Sequence, residues 1–137
     1  MIINNQSFRK LHETDKFVLG HVFEDGYLVD KISAKEIHLG DFYGDPTCGI
    51  ISRENNWCLI GGAILSVWKA GDAIFKINDN NLYWACKVKQ TDSFEVEILV
   101  DAWTDISAIW KINIETLERF KVKNIKIDSD FTDYLDW

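Results

Sequence analysis

The residues of this sequence that could carry chemistry are three histidines, three cysteines and a few closely spaced carboxylates. His12, His21 and His38 are not spaced as metal ligands on one helix. His21 and His38 fall in predicted strands, and a facing pair would suit acid–base cleavage of RNA. Singly, such histidines are packed or solvent-facing groups. Cys48, Cys58 and Cys86 form no CxxC pair, which excludes a zinc ribbon. Each has apolar neighbours (Gly49-Ile50, Leu59-Ile60 and Ala85), so buried free thiols in a reducing compartment are expected. Asp41 and Asp45 bracket Phe42-Tyr43-Gly44 in a turn-rich segment. Two carboxylates are too few for calcium, and no EF-hand pattern is present. No G-x-S-x-G elbow, P-loop or G-x-G-x-x-G occurs. The expectation is therefore a protein with no catalytic residues, no metal and no cofactor.

The same carboxylates read better as interface groups. Asp41, Tyr43 and Asp45 form one candidate patch, and Asp101, Trp103 and Asp105 a second. Each sets an aromatic ring between two acids in a predicted loop. Loops carry recognition, and aromatic anchors rimmed by charge suit protein interfaces.

The elements that must position these residues are strands. Period-2 alternation and short β-rich runs dominate the chain. Predicted strands cover 17–23, 27–32, 36–39, 47–52, 56–60, 64–69, 73–77, 82–89, 94–100, 107–114 and 120–127. Asp25-Gly26 gives a hairpin signal between the first two. Residues 115–119 predict a single helical turn. Segment 7–16 is the best place for a short helix, with Ser7 as its cap and Phe8 and Leu11 on one side. The fold expected is all-β: one domain over 1–137 of about ten mostly antiparallel strands, as a sandwich, a barrel or a partial propeller-like stack. Ser66-Val67-Trp68-Lys69 and Ala108-Ile109-Trp110-Lys111 lie 42 residues apart, within the 40–45 of a propeller blade. A further step back reaches Gly26, which does not match, so two similar strands rather than true repeats are expected.

Composition narrows the partners. The 137 residues carry 15 basic and 22 acidic groups, a net charge of −7. The excess is uneven, with five basic and eight acidic residues in 1–46, five and four in 47–92, and five and ten in 93–137. That balance argues against nucleic acid and anionic membrane surfaces, and favours a basic partner. The longest uncharged apolar run, Trp57 to Trp68, is too short to span a bilayer as a helix, and no basic-then-apolar leader opens the chain, so a cytoplasmic protein is expected. Six Trp, four Tyr and eight Phe must mostly fill the core. Residues 128–137 form an acidic-aromatic tail with four acids, three aromatics and no base, a third candidate for partner binding.

Small size, acidity, abundant tryptophan and the missing catalytic signature resemble the immunity proteins of bacterial contact-dependent growth inhibition and related polymorphic toxin systems. The stretch Gly40-Asp41-Phe42-Tyr43-Gly44-Asp45-Pro46-Thr47-Cys48, followed by Asn56-Trp57-Cys58-Leu59-Ile60-Gly61-Gly62, has the character of such domains. The resemblance implies a cognate toxin as partner. With the charge, it points to a basic nuclease domain whose substrate groove is occluded. The competing expectation is a small β-rich enzyme or ligand-binding domain, with a Trp/Tyr-lined pocket near His21 or His38.

Overall fold

The computed structural model describes residues 2–71, 73–101 and 107–125, and these form twelve strands. They are β1 (Phe8–Glu13), β2 (Phe17–Val22), β3 (Asp25–Asp30), β4 (Glu36–Asp41), β5 (Cys48–Ile51), β6 (Trp57–Gly61), β7 (Leu65–Lys69), β8 (Ala73–Ile77), β9 (Ala85–Asp92), β10 (Glu95–Val100), β11 (Ala108–Asn113) and β12 (Arg119–Asn124). The all-β antiparallel expectation holds. The strands form three consecutive four-stranded meanders, β1–β4, β5–β8 and β9–β12, each pairing neighbour with neighbour. The sheets stack face to face and meet through their first strands, β1 against β5 and β5 against β9. This is the arrangement of adjacent propeller blades, as three members of an open fan.

The alternation of the middle sheet explains the stack. In β6, Trp57 and Leu59 join the core shared with the third sheet, while Cys58 and Ile60 join the core shared with the first. Every residue of β6 is buried. The long apolar run from Trp57 is thus a strand pair with two dry faces, as expected of strands that sit between layers. Trp68 faces the first sheet and meets Phe17 edge-on, at 5.4 Å between ring centroids. The 42-residue spacing is architectural, contrary to expectation. Trp68 and Trp110 both lie in the third strand of a sheet, and Gly26, one step back, lies in β3. The side chains differ because β3, β7 and β11 meet different neighbours.

Four local expectations are corrected. Segment 7–16 is not helical, and β1 pairs with β2 along its length. Phe8 and Leu11, three apart, mimic a helix face. In the strand they take opposite faces, Phe8 against Gly20 and Leu11 in the core shared with the second sheet. The turn between β2 and β3 is Phe23-Glu24, not Asp25-Gly26, and Phe23 takes the left-handed φ of +49°. Gly26 serves packing instead, since a Cβ there would stand 2.9 Å from both Ile60 Cδ1 and Phe42 Cε1. Finally, residues 80–82 form a 3-10 turn, and β9 starts only at Ala85. The single turn expected at 115–119 begins earlier, closed by the Leu117 N–H donating to the Asn113 carbonyl at 2.7 Å.

One side-chain bond joins the inner strands of the first two sheets. The backbone N–H of Ile51 donates to His12 Nδ1 at 2.8 Å. That nitrogen accepts only when the ring is neutral. Burial accordingly holds the His12 pKa below its ordinary value. A histidine depressed on folding stabilises the fold above its unfolded pKa of about 6.5, and that contribution is lost as pH falls toward the folded value. His12→Gln keeps an acceptor that does not titrate. The urea midpoint of the native chain should therefore fall more between pH 7.5 and 5.5 than that of His12→Gln; equal losses would reject the role of this bond.

Gly20 is the tightest point of the first sheet. A Cβ there would lie 2.4 Å from the Arg9 carbonyl oxygen and 2.4 Å from Phe8 Cζ. Gly20→Ala should destabilise the chain by about 1–3 kcal/mol in denaturant unfolding, the range of overpacked interiors.

Candidate partner-binding site

The meander topology sends alternate connections to opposite ends of the fan. Backbone bonds tie one set together. Thr47 N–H donates to the Gly61 carbonyl at 2.8 Å, Ala85 N–H to Gly62 at 3.1 Å, and Asp101 N–H to Trp84 at 3.1 Å. Thr47 Oγ1 donates to the Ala85 carbonyl at 2.5 Å. The ends of β4, β6, β8 and β10 therefore share one end of the molecule, with the Phe23-Glu24 turn beside them.

Charge is unequal between the two ends. The strand ends and turn residues described there carry Glu24, Asp25, Asp41, Asp45 and Asp101 and no Lys, Arg or His. At the other end, by the same count, Lys16, Lys31, Lys35, Arg53, Lys69 and Arg119 are mixed with Glu13, Asp15, Asp30, Glu36, Glu54, Asp92, Glu95, Glu115 and Glu118. Asp25 meets His38 Nε2 at 3.0 Å, while Asp79, in the connection after β8, reaches Arg119 Nε at 2.8 Å beside the β11–β12 turn. Lys76 borders the patch, its Cε 3.6 Å from where a Cβ of Gly40 would stand. Burial raises the pKa of the Asp101 carboxyl.

The loop of the first candidate patch is pinned from inside. Phe42 is fully buried, and its N–H donates to the Glu24 carbonyl at 2.9 Å. Tyr43 then projects outward, 74% exposed, with φ +55° and its N–H donating to Asp41 Oδ1 at 2.9 Å. Asp41 and Asp45 are exposed on either side. The β3–β4 register pairs Asp25 with Asp41, and the Phe42–Glu24 bond continues it, so the Phe23-Glu24 turn lies across from Tyr43.

The second candidate patch is described only through Asp101, because Trp103 and Asp105 lie outside the described residues, as does the tail from 128. Asp101 (φ +50°) sits beside Trp84, which is 61% exposed at φ +63°. The chain of bonds from Thr47 through Ala85 and Trp84 to Asp101 brings Asp101 to the same end of the fan as the first patch. Phe23, Glu24, Asp25 and Trp84 belong to that end although the sequence did not single them out. Phe23 and Trp84 fell within predicted strands, and the turn residues beside them were the only available signal.

The histidine pair does not form. His21 pairs with Gly26 and His38 with Tyr27, so the two occupy opposite faces of the first sheet. His21 is buried, with Nδ1 2.8 Å from the Phe23 carbonyl oxygen. The His38 ring leans on Tyr27 at 5.3 Å. Three cavities, of about 570, 360 and 380 Å³, contain neither histidine in their walls. Among the described residues no three His, Cys, Asp or Glu side chains converge as metal ligands, and no helix is long and apolar enough to cross a membrane.

No protein-family model and no curated protein sequence matches this chain. Its fold is similar to part of the tricorn protease, with a TM-score of 0.60 and 12% identity, over 85% of this chain and 13% of that one. It is also similar to part of the hydrazine synthase of Kuenenia stuttgartiensis, with a TM-score of 0.53 and 17% identity, over 78% of this chain and 34% of that one. The chain thus spans 13% and 34% of these two proteins, and the likeness is one of fold.

Cys48, Cys58 and Cys86 are free thiols, the first two buried and Cys86 half-buried. Burial pushes the Cys48 thiol up to about 12, and Cys58 is raised for the same reason. Ellman titration at pH 8 should find Cys86 reacting first in the native protein and all three thiols after denaturation without reductant; fewer than three would indicate a disulfide.

Proposed function

We propose that this protein is an immunity protein, binding a cognate toxin domain and covering its substrate groove with the acidic-aromatic end of the fan. The observation that carries this reading is conformational. Phe23, Tyr43 and Trp84 are the three most exposed aromatic rings among the described residues, and each sits at positive φ. Bulky residues there are outliers, costing of order 1–3 kcal/mol each, where glycine would cost nothing sterically. A chain that holds three large rings in solvent at strained positions is maintaining them for contact. Such strain concentrates at functional sites.

The chemistry around the rings selects the partner. One-sided carboxylates favour a basic surface, and a nuclease groove built for phosphates is such a surface. Glu24, Asp41 and Asp45 supply steering and rim contacts. The rings supply a desolvated centre, the usual source of most binding energy. Binding by occlusion requires no catalysis by this chain, and the free thiols suit a cytoplasmic setting.

Stability and binding should separate. Tyr43→Gly and Trp84→Gly should leave stability unchanged or raise it by up to about 1 kcal/mol, while each weakens binding by ~2 kcal/mol or more. Asp41→Asn and Asp45→Asn should mainly slow association, and less so at high salt. Surface plasmon resonance against the toxin domain encoded beside this gene, at two salt concentrations, reads both effects. Glycine variants that bind as tightly as the native chain would overturn the assignment of this face.

A further inference from the structure

We propose that the cavity at the mixed-charge end of the seam between the second and third sheets binds a small molecule with an apolar body and a carboxylate head. The site is at the opposite end of the fan from the acidic loops and is independent of the toxin-binding reading. It has a volume of about 360 Å³ and is lined by Asn56, Trp57, Lys69, Ala70, Phe94, Ile114 and Glu115. That lies within the ordinary range of ligand cavities and has room for about a dozen waters at ~30 Å³ each.

Its origin is geometric. The two sheets touch along β5 and β9 and diverge outward, so side chains must fill a wedge. Leu59, Leu65, Val67, Ile98 and Ile112 fill the middle of it. Where β7 ends, the chain turns through Ala70, whose methyl group is too small to close the gap between Trp57 and Ile114. Trp57 is buried at its base with the indole N–H satisfied by the Ser93 carbonyl at 2.8 Å, so with Ala70, Phe94 and Ile114 it leaves the inner wall without a free polar side-chain group.

The polar groups at the rim are mainly donors. Lys69 Nζ is held by the Glu115 carbonyl at 3.0 Å and lies 4.9 Å from the Phe75 ring centre, which leaves an ammonium N–H for a ligand. Asn56 Oδ1 accepts from Ser52 Oγ at 2.8 Å, and its carbonyl accepts from Ala70 N–H at 2.9 Å. Its amide N–H groups have no acceptor among the described residues. An ammonium and an amide above an aromatic-aliphatic slot match a carboxylate on an apolar body. The Glu115 carboxylate is the one opposing charge in the lining. Residues 47–92, which supply Asn56, Trp57, Lys69 and Ala70, are also the one third of the chain with a basic excess.

The test is nitrogen-15 NMR of the full chain titrated with phenylbutyrate, with phenylbutanol as the uncharged control of the same body. Phenylbutyrate should shift the Trp57 indole N–H and the amides of Asn56, Ala70, Phe94 and Glu115 saturably. It should bind about fivefold or more tightly than the alcohol, the scale of one partly exposed charge contact. Lys69→Met should erase that preference, and Glu115→Gln should enlarge it. Ala70→Leu, which fills the slot, should abolish binding in a protein whose spectrum stays dispersed. Should that variant misfold, the Lys69 and Glu115 variants decide alone. Equal binding of acid and alcohol, shifts centred elsewhere, or no saturable shift would overturn the proposal.

Discussion

Everything in this fold leans on two strands of the middle sheet that have no solvent face. β6 and β7 contribute Trp57, Leu59, Leu65 and Val67 to one core and Cys58, Ile60 and Trp68 to the other. Each fully buried side chain of this size is worth roughly 1.5–3 kcal/mol relative to exposure. The middle sheet belongs to both cores, so removing it would expose both at once. Gly26 answers the same constraint from the first sheet, because Ile60 and Phe42 come too close for any side chain there.

Fan geometry follows from that central layer and sets where the surface is interesting. Sheets that meet through β1, β5 and β9 must spread toward β4, β8 and β12. The outermost strands are accordingly open, with Ile74, Phe75, Phe120 and Val122 exposed. Large groups such as Trp57, Trp110, Leu82 and Leu117 fill the widening seam, and cavities remain where the filler is small. Meander connectivity then sorts the loops. Connections leaving even-numbered strands gather at one end, and those leaving odd-numbered strands at the other. Carboxylates scattered from Glu24 to Asp101 become one field through that sorting, since charges add within a Debye length of about 8–10 Å.

At the acidic end the backbone works against local preference. Phe23, Tyr43, Trp84 and Asp101 all take left-handed conformations that favour glycine, while Gly26, beside a turn, has gone to packing. The sheets can hold these strained positions because they fix both flanks of each turn. Phe42 is anchored in the core next to Tyr43, and the Trp84 carbonyl is bonded to Asp101. Local strain held by a rigid frame is a means of presenting rings to a partner without the entropic loss of ordering them at binding.

The sequence by itself determined the all-β class, the strand positions of β2 to β8, the free thiols and the exposure of Asp41, Tyr43 and Asp45. Each is a short-range property: side-chain period, turn residues and composition act within a few positions of one another. It misread segment 7–16, because Phe8 and Leu11 are apolar residues three apart on opposite faces of a strand, a spacing that imitates a helix. It also passed over the 42-residue period, because corresponding strands face different neighbours and so carry different side chains. Only the tertiary structure decided which loops share an end, that His21 and His38 lie on opposite faces, and that Phe23 and Trp84 stand beside the acidic loop. Those facts depend on how three sheets stack. Stacking is set by contacts between residues tens of positions apart, for which a single sequence carries no local signal.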